Sequence, residues 1–184
     1  EAARRAIALN PRLPEAHKAE SLNLRFQNDK PGAKAALLRA VDADPRFNPA
    51  IINLGVHEFT EANLAGAERY FRRAVEVDPQ ETFAMSWLLF QAGWTRRPEM
   101  ALEMAATIRR TSDQPFYVGT AHSVRAEVHL RAGNIDAARV CLSEAIADGV
   151  LESDVLAIEA GIAASEGRTQ EARAMVVRLR ATAG

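Results

Sequence analysis

The sequence predicts an all-α fold, an α–α superhelix made from a row of similar antiparallel helical hairpins. Asn-Pro or Asp-Pro steps recur every 34 residues, small and apolar residues recur at the same interval, and the composition is rich in good helix formers. A fixed period of this length indicates repeated copies of one supersecondary unit. The steps are Asn10-Pro11, Asp44-Pro45 and Asp78-Pro79.

Positions between the proline steps keep the same register. The matching sets are Ala6, Ala40 and Ala74; Ala33, Ala67 and Ala101; and Leu37 and Phe71. Gly133 and Gly167 are again 34 residues apart, so the period returns towards the end of the chain. Because each unit of such an array buries its apolar face on its neighbours, residues 1–184 are expected to form one quasi-linear domain.

The stretch from Pro49 onwards shows why each unit should fold as a hairpin. Apolar or small residues recur at helical spacing first around Leu54 and Gly55, and then around Ala67 and Phe71. Gly55 and Ala67 lack bulk, so the two helices can approach closely, while Phe71 is expected to fill the space towards the neighbouring repeat. Pro79 then ends the second helix, because proline cannot continue it.

These residues resemble the tetratricopeptide repeat family. Leu54-Gly55, Ala67, Phe71 and Pro79 stand where its pattern has Leu-Gly, Ala, an aromatic residue and Pro, whereas Ile51 and Glu58 replace its Trp and Tyr. The resemblance implies that the whole chain is one array. Its expected units are a half repeat at 1–13 and repeats at about 14–47, 48–81, 82–118, 119–152 and 153–184.

Composition and charge disfavour several classes of partner. A formal net charge of −1 argues against a nucleic-acid or anionic-membrane surface, and no apolar run is long enough for membrane insertion. The first nine residues lack the basic start and apolar stretch of a signal peptide. The compartment stays open, with the cytoplasm favoured over the periplasm. The single cysteine, Cys141, excludes an internal disulfide.

Enzyme chemistry finds little support in the sequence. The run from His57 to Glu61 has glutamate where a zinc-protease helix needs its second histidine, and the segment around Gly32 lacks the pattern of a phosphate-binding loop. His122 and His129 lie two turns apart, which suits solvent-facing or hydrogen-bonded histidines better than a shared metal. The sequence therefore predicts a protein that is not an enzyme and needs no metal or cofactor.

The repeat from Thr82 carries a stripe of four aromatic residues and lacks the closing proline, since Asp113 stands in its place. The stripe is Phe83, Trp87, Phe90 and Trp94, at spacings of four, three and four. The tetratricopeptide resemblance implies that first helices line a concave groove, to which it adds Leu22, Phe26, Ile52, Asn53, Val56 and Phe59. An apolar groove of this kind favours binding of a protein or peptide segment. The alternative is that the aromatic side chains only pack against neighbouring helices.

Chaperone-binding members of the family hold a terminal carboxylate with Lys, Asn and Arg side chains. Lys18 and Asn53 stand at matching positions, but Leu22, Phe83 and Trp87 replace other polar clamp residues. An apolar side chain cannot bind a carboxylate, so the resemblance favours a partner segment with apolar anchors.

The sequence leaves two alternatives to a peptide-binding scaffold. The chain could be a regulatory or sensor module of a larger bacterial signalling protein, such as a kinase, cyclase or transcription regulator, because residues 166–173 resemble the terminal repeats of such proteins. It could also self-associate, because the first helix resembles the second half of a hairpin and its apolar side, with Ala3, Ile7 and Leu9, could pair with another copy.

Overall fold

The computed structural model describes residues 1–182, and this part of the chain folds into eleven α-helices. The helices are α1 (Ala2–Leu9), α2 (Pro14–Phe26), α3 (Lys30–Ala43), α4 (Asn48–Thr60), α5 (Leu64–Val77), α6 (Thr82–Trp94), α7 (Pro98–Thr111), α8 (Pro115–Arg131), α9 (Ile135–Ala147), α10 (Glu152–Ser165) and α11 (Thr169–Thr182). From α2 onwards they pair as five helical hairpins, which confirms the predicted all-α fold of repeated hairpins.

The helices are distributed over two compact units, Glu1–Ala84 and Met85–Gly184. The first unit holds α1 to α5 and the start of α6, and the second holds the rest of α6 and α7 to α11. In the first unit each helix packs on the next, and α2 also contacts α4. In the second unit α8 packs on α7, α9 and α10, so first helices lie beside first helices in both units.

Each hairpin closes through a three-residue turn whose middle residue is in the left-handed region. The middle residues are Asn28 (φ 60°), Ala62 (φ 58°), Arg96 (φ 54°), Gly133 (φ 76°) and Gly167 (φ 77°). The residue after the middle one donates its N–H to the carbonyl oxygen five residues earlier, as from Asp29 to Leu24 at 2.9 Å and from Arg97 to Ala92 at 2.9 Å. This is the bond of a Schellman turn, which satisfies carbonyl groups at the end of the first helix.

The proline steps lie in the turns between hairpins. Asp44 Oδ1 accepts a hydrogen bond from the Arg46 N–H at 2.9 Å, and Asp78 Oδ1 accepts one from the Gln80 N–H at 2.9 Å. An Asp or Asn side chain that bonds backbone two residues on forms an Asx turn, and proline in between prevents the helix from continuing. The 34-residue period of these steps therefore arises because the same Asx turn recurs once per repeat in this part of the chain.

The fourth hairpin departs from the regular unit at its start. Ser112 replaces the expected Asp, and its hydroxyl accepts a hydrogen bond from the Gln114 N–H at 3.2 Å, so a similar turn forms without a proline at Asp113. Helix α8 then starts at Pro115 and has 17 residues, whereas α2, α4 and α6 have 13. The expected repeat boundary at 119 thus falls inside α8, because the extra residues form an additional helical turn.

Alanine-rich contacts fill the space between packed helices, both within and between hairpins. One cluster in the first unit joins buried residues of α3 and α4, and one in the second unit joins α8, α9 and α10. Their buried members are Leu37, Ala40, Ala50 and Leu54, and Ala126, Ala138, Cys141, Ala145, Ile158 and Ile162. Small side chains let helix axes approach closely, so the larger side chains can fill the remaining space.

Gly55 of α4 and Phe71 of α5 make a close contact within one hairpin of the first unit. A Cβ atom built on Gly55 would lie 2.6 Å from Phe71 Cε1 and within 3.0 Å of two further ring atoms. The Phe71 ring, which was expected to face the neighbouring repeat, therefore covers Gly55 of its own hairpin. Phe71 is fully buried, so its ring has little room to move away.

Replacement of Gly55 by alanine should destabilise the first unit. Overpacking costs about 1–3 kcal/mol, which offsets the roughly 1 kcal/mol that alanine gains in helix propensity. The matched variant Gly93→Ala places its Cβ 3.9 Å from the nearest side-chain atom and should be neutral or stabilising. Urea unfolding of both variants, followed by circular dichroism, checks this, and a Gly55→Ala protein as stable as Gly93→Ala would contradict the packing described above.

Replacement of Ala62 by glycine should stabilise the same unit. Ala62 has φ 58°, a conformation that costs a residue with a Cβ about 1–2 kcal/mol and costs glycine very little. Glycine loses more entropy on folding, so we expect a net gain of about 0.5–1 kcal/mol. The control is Ala35→Gly at an exposed position within α3, which should cost about 1 kcal/mol. Thermal unfolding should rank Ala62→Gly above wild type and Ala35→Gly below it.

Candidate functional site

A cleft of about 430 Å³ lies on the first helices of the first unit. Helix α2 contributes residues at positions 18, 21, 22 and 25, and α4 contributes residues with the same spacing at 53, 56, 57 and 60. Helix α3 contributes the rest of the lining. The lining residues are Lys18, Ser21, Leu22, Arg25, Lys30, Ala33, Leu37, Asn53, Val56, His57 and Thr60. The spacing of three, four and seven residues places each set on one helix face.

The lining of this first-unit cleft combines apolar and cationic side chains. Leu22 is 41% exposed, and within the described part of the chain no ion pair involves Lys18 or Arg25. Lys30 is already paired, since its Nζ lies 2.8 Å from Glu61 Oε1. The Nδ2 group of Asn53 donates a hydrogen bond to the Pro49 carbonyl oxygen at 2.6 Å, and this bond orients the amide. The cleft therefore offers an apolar contact beside two cations.

A buried carboxylate joins three helices of the first unit. Glu58, which stands where the tetratricopeptide pattern has tyrosine, is 4% exposed, and its carboxylate lies 2.6 Å from Lys34 Nζ and 2.6 Å from Asn63 Nδ2. The bond from Lys34 is the main reason why the pKa of Glu58 is lowered despite burial. The carboxylate is thus satisfied within the fold, and it links α3 and α4 to the residue that caps α5.

A second cleft, of about 390 Å³, lies between α6, α8 and α10 of the second unit, and we call it the aromatic cleft. Its lining residues are Phe90, Trp94, Ser123, Val124, Ala126, Glu127, Leu130, Ala157, Ile158 and Gly161. The rings of Phe90 and Trp94 are stacked with centroids 6.2 Å apart. Trp94 is 62% exposed, and small residues at 126, 157 and 161 leave room opposite it. Such a cleft suits one large apolar side chain of a partner.

The predicted groove residues divide between these clefts and positions outside them. Leu22, Asn53 and Val56 line the first-unit cleft, and Phe90 and Trp94 line the aromatic cleft. The remaining predicted residues line neither cleft: Phe26 and Phe83 are exposed, whereas Ile52, Phe59 and Trp87 are half-buried. The assignment of all ten residues to one groove stays a prediction.

Several lining residues were not predicted. Lys18, Arg25 and His57 follow the same helical spacing as Leu22 and Val56, so that spacing could have identified them, but the predicted groove was chosen for apolar side chains apart from Asn53. Ala157 and Gly161 carry no comparable signal, because small residues are common throughout this chain. Their role is visible only when α10 is placed beside α8.

The structure also bears on the first helix, on metal binding and on membrane insertion. Helix α1 buries Ala3 and leaves Leu9 82% exposed, and its proposed role in self-association stays a prediction. Within residues 1–182, no three or more His, Cys, Asp or Glu side chains come together as a metal site requires. None of the helices described for the chain is long and apolar enough to span a bilayer.

A network of charged side chains in the second unit surrounds the buried side chain of His122. The ring is fully buried and hydrogen-bonds Asp148 Oδ2 through Nε2 at 2.8 Å, while Arg125 Nη1 lies 3.4 Å from Nδ1. Arg125 and Arg109 both pair with Glu144, at 2.6 and 3.0 Å. Burial lowers the pKa of His122 below its ordinary value of 6.5, and the bond to Asp148 opposes this shift. A neutral ring that donates to Asp148 and accepts from Arg125 fits these contacts.

Comparison with known proteins supports the fold. No family model matches the sequence, and no curated protein matches it at a significant level. Among solved structures, the chain is similar to PilW, a type IV pilus biogenesis factor, with 18% identity, a TM-score of 0.68 and coverage of 97% of this chain and 82% of that chain.

Two further structures give the same result. PilF of Pseudomonas aeruginosa is 19% identical, with a TM-score of 0.71 and coverage of 94% of this chain and 77% of that chain. YrrB, described as a tetratricopeptide repeat protein with an unusual peptide-binding site, is 16% identical, with a TM-score of 0.72 and coverage of 97% of this chain and 91% of that chain. The chain therefore has the tetratricopeptide repeat fold.

Acidification should destabilise the second unit through His122. A group whose pKa is lowered by folding contributes stability above its unfolded pKa, and this stability is lost as the pH falls through the folded value. We expect the free energy of unfolding to fall between pH 7.5 and 5.5. His122→Gln should cost about 1–3 kcal/mol at pH 7.5, because it removes a buried ring and its hydrogen bond to Asp148, and should show a smaller loss on acidification.

Urea unfolding followed by tryptophan fluorescence measures this effect, because Trp87 and Trp94 both lie in the second unit. The matched variant His129→Gln removes a half-buried histidine from the same helix, and it should keep the wild-type loss on acidification. If the free energy of unfolding falls by the same amount for wild type and for His122→Gln between pH 7.5 and 5.5, His122 does not carry this effect.

Proposed function

We propose that this chain is a protein-interaction module that binds segments of a partner protein on the faces of its first helices. The tetratricopeptide fold places neighbouring first helices side by side, as α2 beside α4 and α8 beside α10. Side chains from adjacent helices then line one cleft. A helical or extended segment can lay its apolar side chains into such a cleft.

The exposure of Trp94 is the observation that carries the proposal. Its ring is 62% exposed although the apolar lining of the aromatic cleft lies directly beside it. Tryptophan is among the residues that contribute most to binding energy at the centres of interfaces. A partner side chain in the cleft would cover the ring and remove apolar surface from water, which stabilises the complex by about 25 cal/mol per Å².

The first-unit cleft supports the same function with different chemistry. Leu22 supplies the apolar contact, and Lys18 and Arg25 add positive charge beside it. The charged groups near this cleft that are already satisfied, such as Glu58 and Lys34, stabilise the fold. Lys18 and Arg25 can donate hydrogen bonds to a partner, and Leu22 can make an apolar contact with it.

Selection from a random peptide library displayed on phage tests the proposal, with the full chain as the immobilised target. Wild type should enrich peptides that bind with micromolar or better affinity, and Trp94→Ala should weaken at least one selected family about tenfold or more, because a buried aromatic anchor is worth about 1–3 kcal/mol. Phe116→Ala is the matched control, since Phe116 is 57% exposed but lines neither cleft.

Circular dichroism should show the same helix content for wild type and both variants, because the two aromatic side chains are largely exposed. The proposal fails if the library yields no binders to wild type. It also fails for the aromatic cleft if every selected peptide binds Trp94→Ala as tightly as Phe116→Ala.

A further inference from the structure

Three arginine side chains line a third cleft, of about 490 Å³, in the second unit. We call it the arginine cleft, and its lining residues are Ala92, Gly93, Arg96, Arg97, Pro98, Val128, Arg131 and Ala132. None of these residues carries a carboxylate, so the charged side chains of the lining are all positive and the rest are apolar. Guanidinium groups arranged in this way attract an anion and can bind it with two hydrogen bonds each.

The arginine cleft lies next to the aromatic cleft. Gly93 lines the one and Trp94 the other, and the ion pair between Arg131 and Glu127 joins their linings on α8. Arg131 also donates its Nη1 to the Gly93 carbonyl oxygen at 3.2 Å, which holds its guanidinium group beside α6. A segment with its apolar side chain against Trp94 would therefore place a neighbouring side chain close to the arginines.

Arg96 occupies its position at a cost to stability. It is the middle residue of the α6–α7 turn with φ 54°, where the last two hairpins have glycine. Arginine in this conformation costs about 1–2 kcal/mol relative to the ordinary helical region. Arg96 is exposed, and no ion pair or side-chain hydrogen bond involves it among residues 1–182. Asn28 and Ala62 take the same conformation in the first two hairpin turns, so the strain comes from the turn, and what distinguishes Arg96 is a charged side chain held at the cleft.

The backbone of the turn limits what the arginine cleft can bind. The N–H groups of Thr95, Arg96 and Arg97 already donate to the carbonyl oxygens of Gln91, Gly93 and Ala92. A chain-terminal carboxylate is commonly bound by a nest of free backbone N–H groups, and this turn has none to offer. Recognition must therefore come from the guanidinium groups, which bind the carboxylate of an acidic side chain; the amidated peptide described below distinguishes this from a chain end bound by the same groups.

We propose that the arginine cleft binds an Asp or Glu side chain of the partner segment, next to the apolar side chain that contacts Trp94. This proposal rests on the proposed function and specifies the chemistry of the partner at the same site. Charge complementarity carries it, because the charged side chains of the lining are all arginines. Arg131 is paired with Glu127, and Arg97 donates its Nε–H to Thr95 Oγ1 at 3.0 Å, so Arg96 is the cation that the partner's carboxylate would contact first.

Two variants with opposite effects test the proposal, using a selected peptide whose binding depends on Trp94. Arg96→Gln should weaken binding about two- to fivefold at 50 mM salt, because it removes one partly exposed charge interaction. Glu127→Gln should strengthen binding by a similar factor, because it removes a competing carboxylate and frees Arg131. Both effects should shrink at 500 mM salt. Arg173→Gln on α11 is the control, since it changes the net charge equally at an exposed position outside the cleft.

Fluorescence anisotropy with the labelled peptide and with its Glu→Gln and Asp→Gln versions gives the affinities. The acidic peptide should bind wild type more tightly than the neutral version, and Arg96→Gln should remove much of that difference. Amidation of the peptide's C-terminus should leave the affinity unchanged, and a large loss would assign the anion to the chain end and overturn the proposal.

Other outcomes separate this proposal from the proposed function. A Trp94-dependent peptide without acidic residues, or one whose neutral version binds equally well, overturns the arginine-cleft proposal and leaves the proposed function in place. If no peptide depends on Trp94, the aromatic cleft and the arginine cleft are both rejected.

Discussion

The fold depends on one backbone constraint, the three-residue turn that closes each hairpin with its middle residue in the left-handed region. The N–H that follows this residue bonds to the carbonyl oxygen five residues earlier, with lengths of 2.8–2.9 Å in all five turns. The chain reverses within a few residues, so each second helix returns along its own first helix. Neighbouring first helices are then adjacent, and the clefts between them follow from this pairing.

The sequence predicted this arrangement where a local rule repeats. An Asx-Pro step needs only three residues to form its turn, so Asp44 and Asp78 identified the ends of α3 and α5. The extra turn at the start of α8 was not predicted, because Ser112 replaces the side chain of the Asx turn without a following proline. Without the proline, the sequence shows that this repeat is irregular but does not show that the extra residues belong to α8.

Packing partners were harder to predict than helices. The small size of Gly55 correctly indicated a close approach, yet the sequence could not show that Phe71 of the same hairpin fills the space. The same difficulty applies to the clefts. Leu22 and Trp94 are recognisable as exposed apolar candidates, but Arg25 and Gly161 matter only through the neighbours that the fold places beside them.

The polar groups of the chain differ in how far the fold satisfies them. Glu58 and His122 are buried, and each has partners on helices packed against its own, which is how a folded chain offsets the cost of desolvating polar groups. Arg96 and Trp94 are instead exposed to solvent. Arg96 is held in a conformation that costs stability, whereas Trp94 stacks on Phe90 but leaves apolar surface in water that folding does not bury.

The turn conformation of Arg96 and the exposed ring of Trp94 occur two residues apart, at the end of one first helix. A chain selected only for stability has simple remedies at both positions, since glycine relieves the turn and a polar side chain suits an exposed helix end. Glycine does stand in the corresponding turns at 133 and 167, so the fold accepts that remedy. In the proposed complex, an apolar side chain of the partner would cover the ring of Trp94, and an acidic one would pair with the guanidinium group of Arg96. Alanine accepts the same turn conformation at position 62, so the case for a partner rests on the arginines and the exposed ring at one end of α6 and not on the turn itself.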